Sequence, residues 1–173
     1  MRQTLQPIDV SVGLSIALRP NQTFATIADE LAISPSTAHQ AVKRLMLSGL
    51  VRKAGHGHAV DVTAMEEFLV HGVRYAFPAI RTRRQRGVPT AHAAPVFQGI
   101  FDPDIDPLVW PSAIGTVVGM ALEPLIPSAA SLASRHPALY DVLALVDAIR
   151  VGNARDREVA GQLLTDRLDA LAA

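Results

Sequence analysis

A short break around Pro35 separates two segments whose apolar residues recur at helical spacing, and this break constrains what the stretch Thr23–Val62 can form. The first segment has the apolar or small set Ile27, Ala28 and Leu31. The second has the set Ala38, Ala41, Val42 and Leu45. Between them, Ser34 is suited to be an N-cap, and Pro35 is suited to be the first helical residue, where its missing N–H leaves no hydrogen bond unmade. The sequence therefore predicts two short helices joined by a tight turn, which is helix-turn-helix spacing.

The second predicted helix has an apolar side and a polar side when its residues are placed 100° apart. The polar side and its flanks carry Ser36, Thr37, His39, Gln40, Lys43, Arg44 and Leu47. The chain has no acidic residue between Ile33 and Val60. Because short hydroxyls, an amide and cations suit phosphate and base-edge contacts in a major groove, this side predicts DNA contact rather than the solvated face of a structural helix.

A β-hairpin is predicted directly after this helix. Two short β-prone runs between Leu50 and Val62 lie on either side of Gly55-His56-Gly57, and the two glycines permit the positive φ that a hairpin turn needs. The side chains of this hairpin that suit contact with DNA are Arg52, Lys53, His56 and His58. Partial protonation of the two histidines near neutral pH would add positive charge there.

The segment ADELAISPSTAHQAVKRLMLSGLVRKAGHGH resembles the winged helix-turn-helix of bacterial regulators, especially the MarR-like and related groups, in which an L…SGLV run leads from the recognition helix into the wing. The resemblance covers roughly the first 75 residues. It implies that the second helix enters the major groove and that the wing lies on the backbone or in the minor groove. By position it implies groove contacts from Ser36, Thr37, Gln40, Lys43 and Arg44, and wing contacts from Arg52, Lys53, His56 and His58. The wing departs from the family pattern because it is short and has two fixed cations.

The charges are divided unequally along a chain whose net charge is zero. Residues 1–86 contain eleven Lys/Arg and six Asp/Glu, a net charge of +5, whereas residues 87–173 contain five Lys/Arg and ten Asp/Glu, a net charge of −5. A polyanion is attracted to the first part and repelled by the second. This split favours a nucleic-acid partner for the N-terminal half over chance clustering.

Helices are also predicted before and after the helix-turn-helix. Pro7–Leu18 precedes a clear break and is interpreted as the first helix of a winged fold, followed by a small strand at Thr23-Phe24. Thr63 is suited to be an N-cap, with Glu66 at the third helical position, and the helix it begins should reach about Tyr75, before Pro78.

The most basic run of the chain follows, with arginines at Arg81, Arg83, Arg84 and Arg86. The run is interpreted as an exposed loop whose planar guanidinium groups hold phosphates. A mobile, solvated loop is the alternative, and the position directly after the winged domain favours nucleic-acid contact slightly.

Prolines between Thr90 and Ile126 exclude long helices, and two short strands are predicted there, Leu108–Trp110 and Thr116–Leu122. The acids of Asp102–Pro107 are spaced by two as in a calcium loop. That stretch lacks the glycine and the distal glutamate of an EF-hand, so turn-forming aspartates are favoured over a calcium site.

The C-terminal third is predicted to be helical. Ser128–Arg135 suits a short helix, and apolar stripes over Pro137–Val151 and from about Arg155 onward predict two amphipathic helices that form a hairpin. This hairpin either closes the core within the chain or pairs with a second subunit. A twofold dimer would place two recognition helices about one DNA turn apart.

The sequence offers little support for catalysis. It has no HExxH spacing, no Gly-x-Ser-x-Gly, no phosphate loop and no dinucleotide fingerprint. His56 and His58 lack a third nearby metal ligand, so we predict no catalytic residue, no metal site and no cofactor. The absence of cysteine, of a visible signal peptide and of a membrane-length apolar segment predicts a cytoplasmic protein that does not enter a membrane.

The predicted fold class is mainly α with a small β wing, a winged helix-turn-helix followed by an irregular and helical C-terminal domain. The predicted division is a DNA-binding domain at residues 1–77, a basic loop and proline-rich connector at 78–127, and a helical hairpin for dimerisation or partner binding at 128–173. The leading function is a dimeric, sequence-specific regulator that binds double-stranded DNA. Two alternatives stay open: a DNA-binding antitoxin whose C-terminal half binds a partner protein, and an enzyme or small-ligand sensor that uses residues 90–126.

Overall fold

The computed structural model describes residues 4–102 and 105–172. Its N-terminal part consists of α1 (Pro7–Leu18), α2 (Phe24–Leu31), α3 (Pro35–Leu47) and the hairpin strands β1 (Val51–Ala54) and β2 (Gly57–Val60). The two strands pair antiparallel, with Val51 opposite Val60 and Ala54 opposite Gly57. This order confirms the predicted fold class of a winged helix-turn-helix within a mainly helical chain.

Hydroxyl side chains fix the starts of α2 and α3. Thr23 Oγ1 accepts a hydrogen bond from the backbone N–H of Thr26 at 3.1 Å, and Ser34 Oγ accepts one from Thr37 at 3.0 Å. Between the helices, Ala32 has a φ of 53°, the left-handed conformation that ends a helix. The expected small strand at Thr23-Phe24 is therefore wrong, because Thr23 caps α2 and Phe24 is its first residue.

The helix after the wing begins earlier than the capping-box pattern predicted. Asp61, rather than Thr63, is the N-cap, and its Oδ1 accepts a hydrogen bond from the Ala64 N–H at 3.0 Å. The helix runs through α4 (Val62–Glu67), a π turn and α5 (Val73–Ala76). It ends two residues before Pro78, as expected from the missing N–H of proline.

The arginine run forms a strand, and the predicted loop is wrong. Strand β3 (Arg81–Thr90) pairs antiparallel with both β4 (Leu108–Pro111) and β5 (Val117–Leu122), and β4 and β5 also pair in parallel to close a small barrel. Arg81 and the stretch Arg84–Gly87 pair with β5, which lies far away in the sequence. The two short strands β4 and β5 confirm the prediction for that region.

The C-terminal helices are α6 (Ala129–Arg135), α7 (Pro137–Val151) and α8 (Ala154–Ala172). Residues 142–149 of α7 and 9–16 of α1 are buried on every side, and a helix buried all round belongs to the centre of a core. Helix α7 packs on α8 and also on α1 and α5. Residues predicted as separate parts of the chain therefore share one hydrophobic core.

The apolar stripe of α8 faces the inside of the chain. Ala160, Leu164 and Leu168 are each no more than 1% exposed. The stripe was predicted either to close the core within the chain or to pair with a second subunit, and in the structure it packs within the chain. Among residues 4–102 and 105–172, every helix is too short or too polar to cross a lipid bilayer.

A buried carboxylate joins the barrel to α7 and to the end of the N-terminal part. Asp147 accepts hydrogen bonds from Thr90 Oγ1 at 2.8 Å, Trp110 Nε1 at 2.7 Å and Arg150 Nη1 at 2.7 Å. Arg150 Nε also donates to the carbonyl oxygen of Phe77 at 2.8 Å. Burial raises the pKa of Asp147, and the three donors oppose that rise. This network holds the segment that follows α5, at Phe77, close to the barrel.

Candidate nucleic-acid interface

The outer side of α3 presents short polar side chains and one lysine. Ser36 and Lys43 are exposed, and Thr37, His39 and Gln40 are half-buried. Leu47, one turn beyond Lys43, is 65% exposed. The Ser34 and Thr37 hydroxyl oxygens lie 2.8 Å apart at the start of the helix. This side offers hydroxyl and ammonium groups, and the amide of Gln40, whose Oε1 atom is buried. Such groups suit base edges and phosphates.

Arg44 does not belong to this side, and the expectation that it faces a groove is wrong. Its Nε and Nη2 donate to the two carboxylate oxygens of Asp9 on α1, at 2.7 and 2.6 Å. The Arg44 side chain is 10% exposed and that of Asp9 is 1% exposed. The hydrogen bonds to Asp9 raise the pKa of Arg44 against the effect of burial. The guanidinium is therefore an internal tie between α3 and α1.

The contact between Asp9 and Arg44 was not predicted from the sequence, because the two residues lie 35 positions apart. Asp9 also accepts a hydrogen bond from the backbone N–H of Gln6 at 2.8 Å, which caps the start of α1. The spacing of Gln6 and Asp9, three residues apart at the start of the helix, is a signal that could have predicted the capping of α1, but it carries no information on the contact with Arg44. Through Asp9, the start of α1 fixes how α3 sits on the core.

An aromatic contact joins the recognition helix to the wing. The ring of Phe24 lies 5.0 Å from that of His39 on α3 and 5.5 Å from that of His58 on β2, between centroids. The Asn21 N–H donates to the His58 carbonyl oxygen at 3.0 Å. Burial, and then the nearby charges of Lys53 and His39, lower the pKa of His58. His58 is thus partly a packing residue, whereas Arg52, Lys53 and His56 are exposed.

Close packing also fixes the tip of the wing. A Cβ atom on Gly57 would lie 2.6 Å from the Cα of Asn21, so a larger residue there has to displace the backbone before α2. Gly55 has a φ of 54°, which supplies the positive angle predicted for the turn. These glycines position Arg52 and Lys53 beside the start of the helix-turn-helix.

The four arginines of β3 are all exposed, and a bulge sets which of them share a face. Arg81, Arg84 and Arg86 lie opposite Leu122, Met120 and Val118, with a register shift between Arg81 and Arg84. The three partners alternate along β5 and so share one face of the sheet, which puts their three arginines on that face too. Arg84 forms an ion pair with Asp106. Strand β3 packs against α6 and α7, which belong to the C-terminal part.

The middle region contains a cavity of about 700 Å³. Its wall is largely apolar and includes Pro89, Phe97, Phe101 and Val117, with His92 at one side. The Nε2 atom of His92 lies 3.1 Å from the carbonyl oxygen of Asp106. Among the residues that the structure describes, no group of three or more His, Asp or Glu side chains is arranged to hold a metal ion.

Residues 14–52 match the model of the family described as winged helix-turn-helix DNA-binding. Comparison with curated proteins and with solved structures gave no match. The matched stretch contains the last five residues of α1, all of α2 and α3, and the start of the wing. The N-terminal part of the chain therefore carries a winged helix-turn-helix DNA-binding domain, while the MarR-like subtype stays a prediction.

Proposed function

We propose that this protein is a sequence-specific transcriptional regulator that binds double-stranded DNA as a dimer and has no catalytic step. The observation that carries the proposal is the exposed polar side of α3 in a matched winged helix-turn-helix. In this proposal Ser36, Thr37 and Gln40 read base edges, and Lys43 contacts a phosphate or a base acceptor. His39 contributes through its contact with Phe24, which holds the wing to the helix.

The wing and β3 supply contacts to the DNA backbone in this proposal. Arg52, Lys53 and His56 are exposed on the wing, beside the recognition helix. Arg81, Arg84 and Arg86 share a face of β3 and hold flanking phosphates, and the exposed Arg83 adds a fourth guanidinium group. Contacts of this type position a protein on the duplex without reading its sequence.

The dimer in this proposal follows from how helix-turn-helix proteins read DNA, two half-sites about one helical turn apart. The apolar stripe of α8 is used inside the chain, so a dimer would form through another surface. Light scattering of the free protein and of its DNA complex tests this part. A complex with one chain per duplex would contradict it.

The test of the main proposal begins with selection of bound sequences from a random duplex library by the full chain. The dissociation constant for the selected duplex is then measured for Q40A/K43A and for the control S134A/R155A, which truncates an exposed serine and an exposed arginine in the C-terminal part. We expect a loss of about tenfold or more for Q40A/K43A, because one good base contact is worth about 1–3 kcal/mol. Equal affinities for both variants and wild type would refute the groove assignment.

A DNA-binding antitoxin is the second candidate. The observation that favours it is the net charge of −5 in residues 87–173, together with exposed acids along the outer side of α8 at Glu158, Asp166 and Asp169. A basic partner protein would fit this surface. Purification of the full chain from its natural host, followed by identification of bound protein and bound DNA, separates the two candidates. DNA without a stoichiometric protein partner supports the regulator.

A further inference from the structure

Helix α6 closes on the end of α2, next to the recognition helix. Ser128, the residue before α6, donates its hydroxyl to the Leu31 carbonyl oxygen at 2.6 Å. Arg135, the last residue of α6, donates Nη2 to the Asp29 carbonyl oxygen at 3.1 Å. Both ends of a helix about 100 residues away in the sequence therefore bind the carbonyl end of α2.

These carbonyl groups need partners from outside their own helix. The last four carbonyls of an α-helix have no donor from the next turn, and α2 ends at Leu31. The N–H of Ala32 contacts the carbonyl oxygens of Ala28 and Asp29, and the N–H of Ile33 contacts that of Ala28. Ser128 supplies the donor for Leu31, and Arg135 adds a second donor for Asp29.

A buried acid strengthens the same junction. Glu30 is 4% exposed and accepts a hydrogen bond from Ser15 Oγ at 2.7 Å, while Arg19 Nη2 lies 2.6 Å from its carboxylate. The His136 side chain, directly after α6, also approaches this carboxylate, and its Nδ1 lies 3.6 Å from the oxygen that Arg19 contacts. Thus α1, α2 and the junction between α6 and α7 meet at the end of the helix that precedes the turn.

We propose that α6 sets the orientation of the recognition helix, and that Ser128 and Arg135 are positioning residues for DNA recognition. The inference rests on the proposed function. Only Ala32, Ile33 and Ser34 separate the clamped end of α2 from the first residue of α3. A change in the angle at which α2 ends therefore reaches α3 across one tight turn. In this way the C-terminal part, outside the matched residues 14–52, acts on base recognition without touching DNA.

Misorientation of the helix affects two kinds of DNA contact differently. Base-edge contacts depend on geometry, whereas phosphate contacts by flexible cations tolerate small rotations and depend on charge. Loss of the α6 donors should therefore weaken binding to the selected duplex and leave binding to a scrambled duplex nearly unchanged. Simple loss of folded protein would weaken both by the same factor.

The experiment compares S128A/R135A in the full chain with the matched control S134A/R155A, which removes the same groups elsewhere. Ser134 Oγ donates to the carbonyl oxygen of Ser131 within the same helix, and the Arg155 side chain is exposed. The measurements are the dissociation constants for the selected and scrambled duplexes, the salt dependence of each, and the melting temperature. The variant S128A/R135K keeps a donor near Asp29 and tests rescue.

We expect S128A/R135A to bind the selected duplex about tenfold more weakly, equivalent to about 1.4 kcal/mol, with the scrambled duplex changed less than twofold. The control should match wild type, and S128A/R135K should recover part of the loss. An unchanged preference for the selected duplex, or an equal loss on both duplexes, overturns the positioning role alone. A wild-type chain with no preference between the duplexes overturns the proposed function and this inference together.

Discussion

Substitution of the two neighbouring cations on α3 should affect different properties, DNA binding in one case and folding stability in the other. Lys43 is exposed, and its ammonium is available to DNA. Arg44 is bound to Asp9 through two short hydrogen bonds. We expect K43M to weaken DNA binding with little effect on stability, and R44M to lower the free energy of unfolding.

The magnitude for Arg44 follows from the burial of its partner. Removal of one member of a buried ion pair costs about 3–5 kcal/mol, because the remaining charge is left without compensation. The Gln6 N–H still donates to Asp9 in R44M, and the Arg44 side chain of the wild type is 10% exposed, so we expect a cost at the lower end of this range. A loss of about 3 kcal/mol lowers the melting temperature of a chain of this size by roughly 6–12 °C.

The assay is urea unfolding followed by the fluorescence of Trp110, the single tryptophan, which is 1% exposed and lies in the shared core. The double variant D9N/R44M removes both charges and keeps a side-chain oxygen to cap α1. It should therefore be more stable than R44M by about 1–2 kcal/mol, since an uncompensated buried charge is gone. Wild-type stability of R44M, or a double variant less stable than R44M, would refute the internal role of Arg44.

Three further results are expected. The variant R81Q/R84Q/R86Q should reduce the slope of log K against log salt by about 0.9 for each phosphate that an arginine no longer neutralises, up to nearly 3. The single variant R83Q should reduce the slope by the amount for one phosphate at most. An unchanged slope for the triple variant would show that β3 does not contact DNA. Because burial and nearby charges lower the pKa of His58, the unfolded chain binds more protons there, so stability should fall as pH drops below the usual histidine value of about 6.5. H58Q should lose this fall in stability at low pH, whereas H56Q, at an exposed position, should keep it. The same pH profile of stability in H58Q and wild type would contradict the role of His58. Leu164 is fully buried and Leu171 is 44% exposed, so L164A should cost about 2–5 kcal/mol and L171A under about 0.5 kcal/mol, measured by the same unfolding assay; equal costs would show that α8 does not pack as described.

Elements whose ends carry strong local signals were predictable from the sequence. Helix α1 spans Pro7–Leu18 and α7 spans Pro137–Val151, as predicted, because a proline starts each helix and a break follows each. The start of α3 at Pro35 was also predicted, from its Ser34 cap. These features depend on neighbouring residues alone.

Features that depend on distant residues were not predictable in the same way. A helical projection placed Arg44 on the flank of the polar side, and only the packing of α1 brings Asp9 to it. The charge of Arg81–Arg86 suggested a loop, and the partner strand that makes it β3 lies some 30 residues later. The bulge that gathers three of its arginines depends on that pairing as well.

The packing of α6 on α2 also depends on residues that are distant in the sequence. Serine and arginine at the ends of a short helix are common, and no local signal connects Ser128 or Arg135 with a carbonyl group about 100 residues earlier. The residues proposed to read DNA were thus accessible from the sequence, while the residues that hold the reading helix in place required the fold.

The chain contains two lysines, Lys43 on the recognition helix and Lys53 on the wing, and both are exposed. Lysine acylation followed by mass spectrometry therefore reports on these two positions and on no other side chain of the proposed interface. With saturating selected duplex, we expect acylation of Lys43 and Lys53 to slow several-fold, and R155A to show the same protection. Bound duplex with Lys43 acylated at the rate of the free protein would contradict the claim that α3 reads DNA.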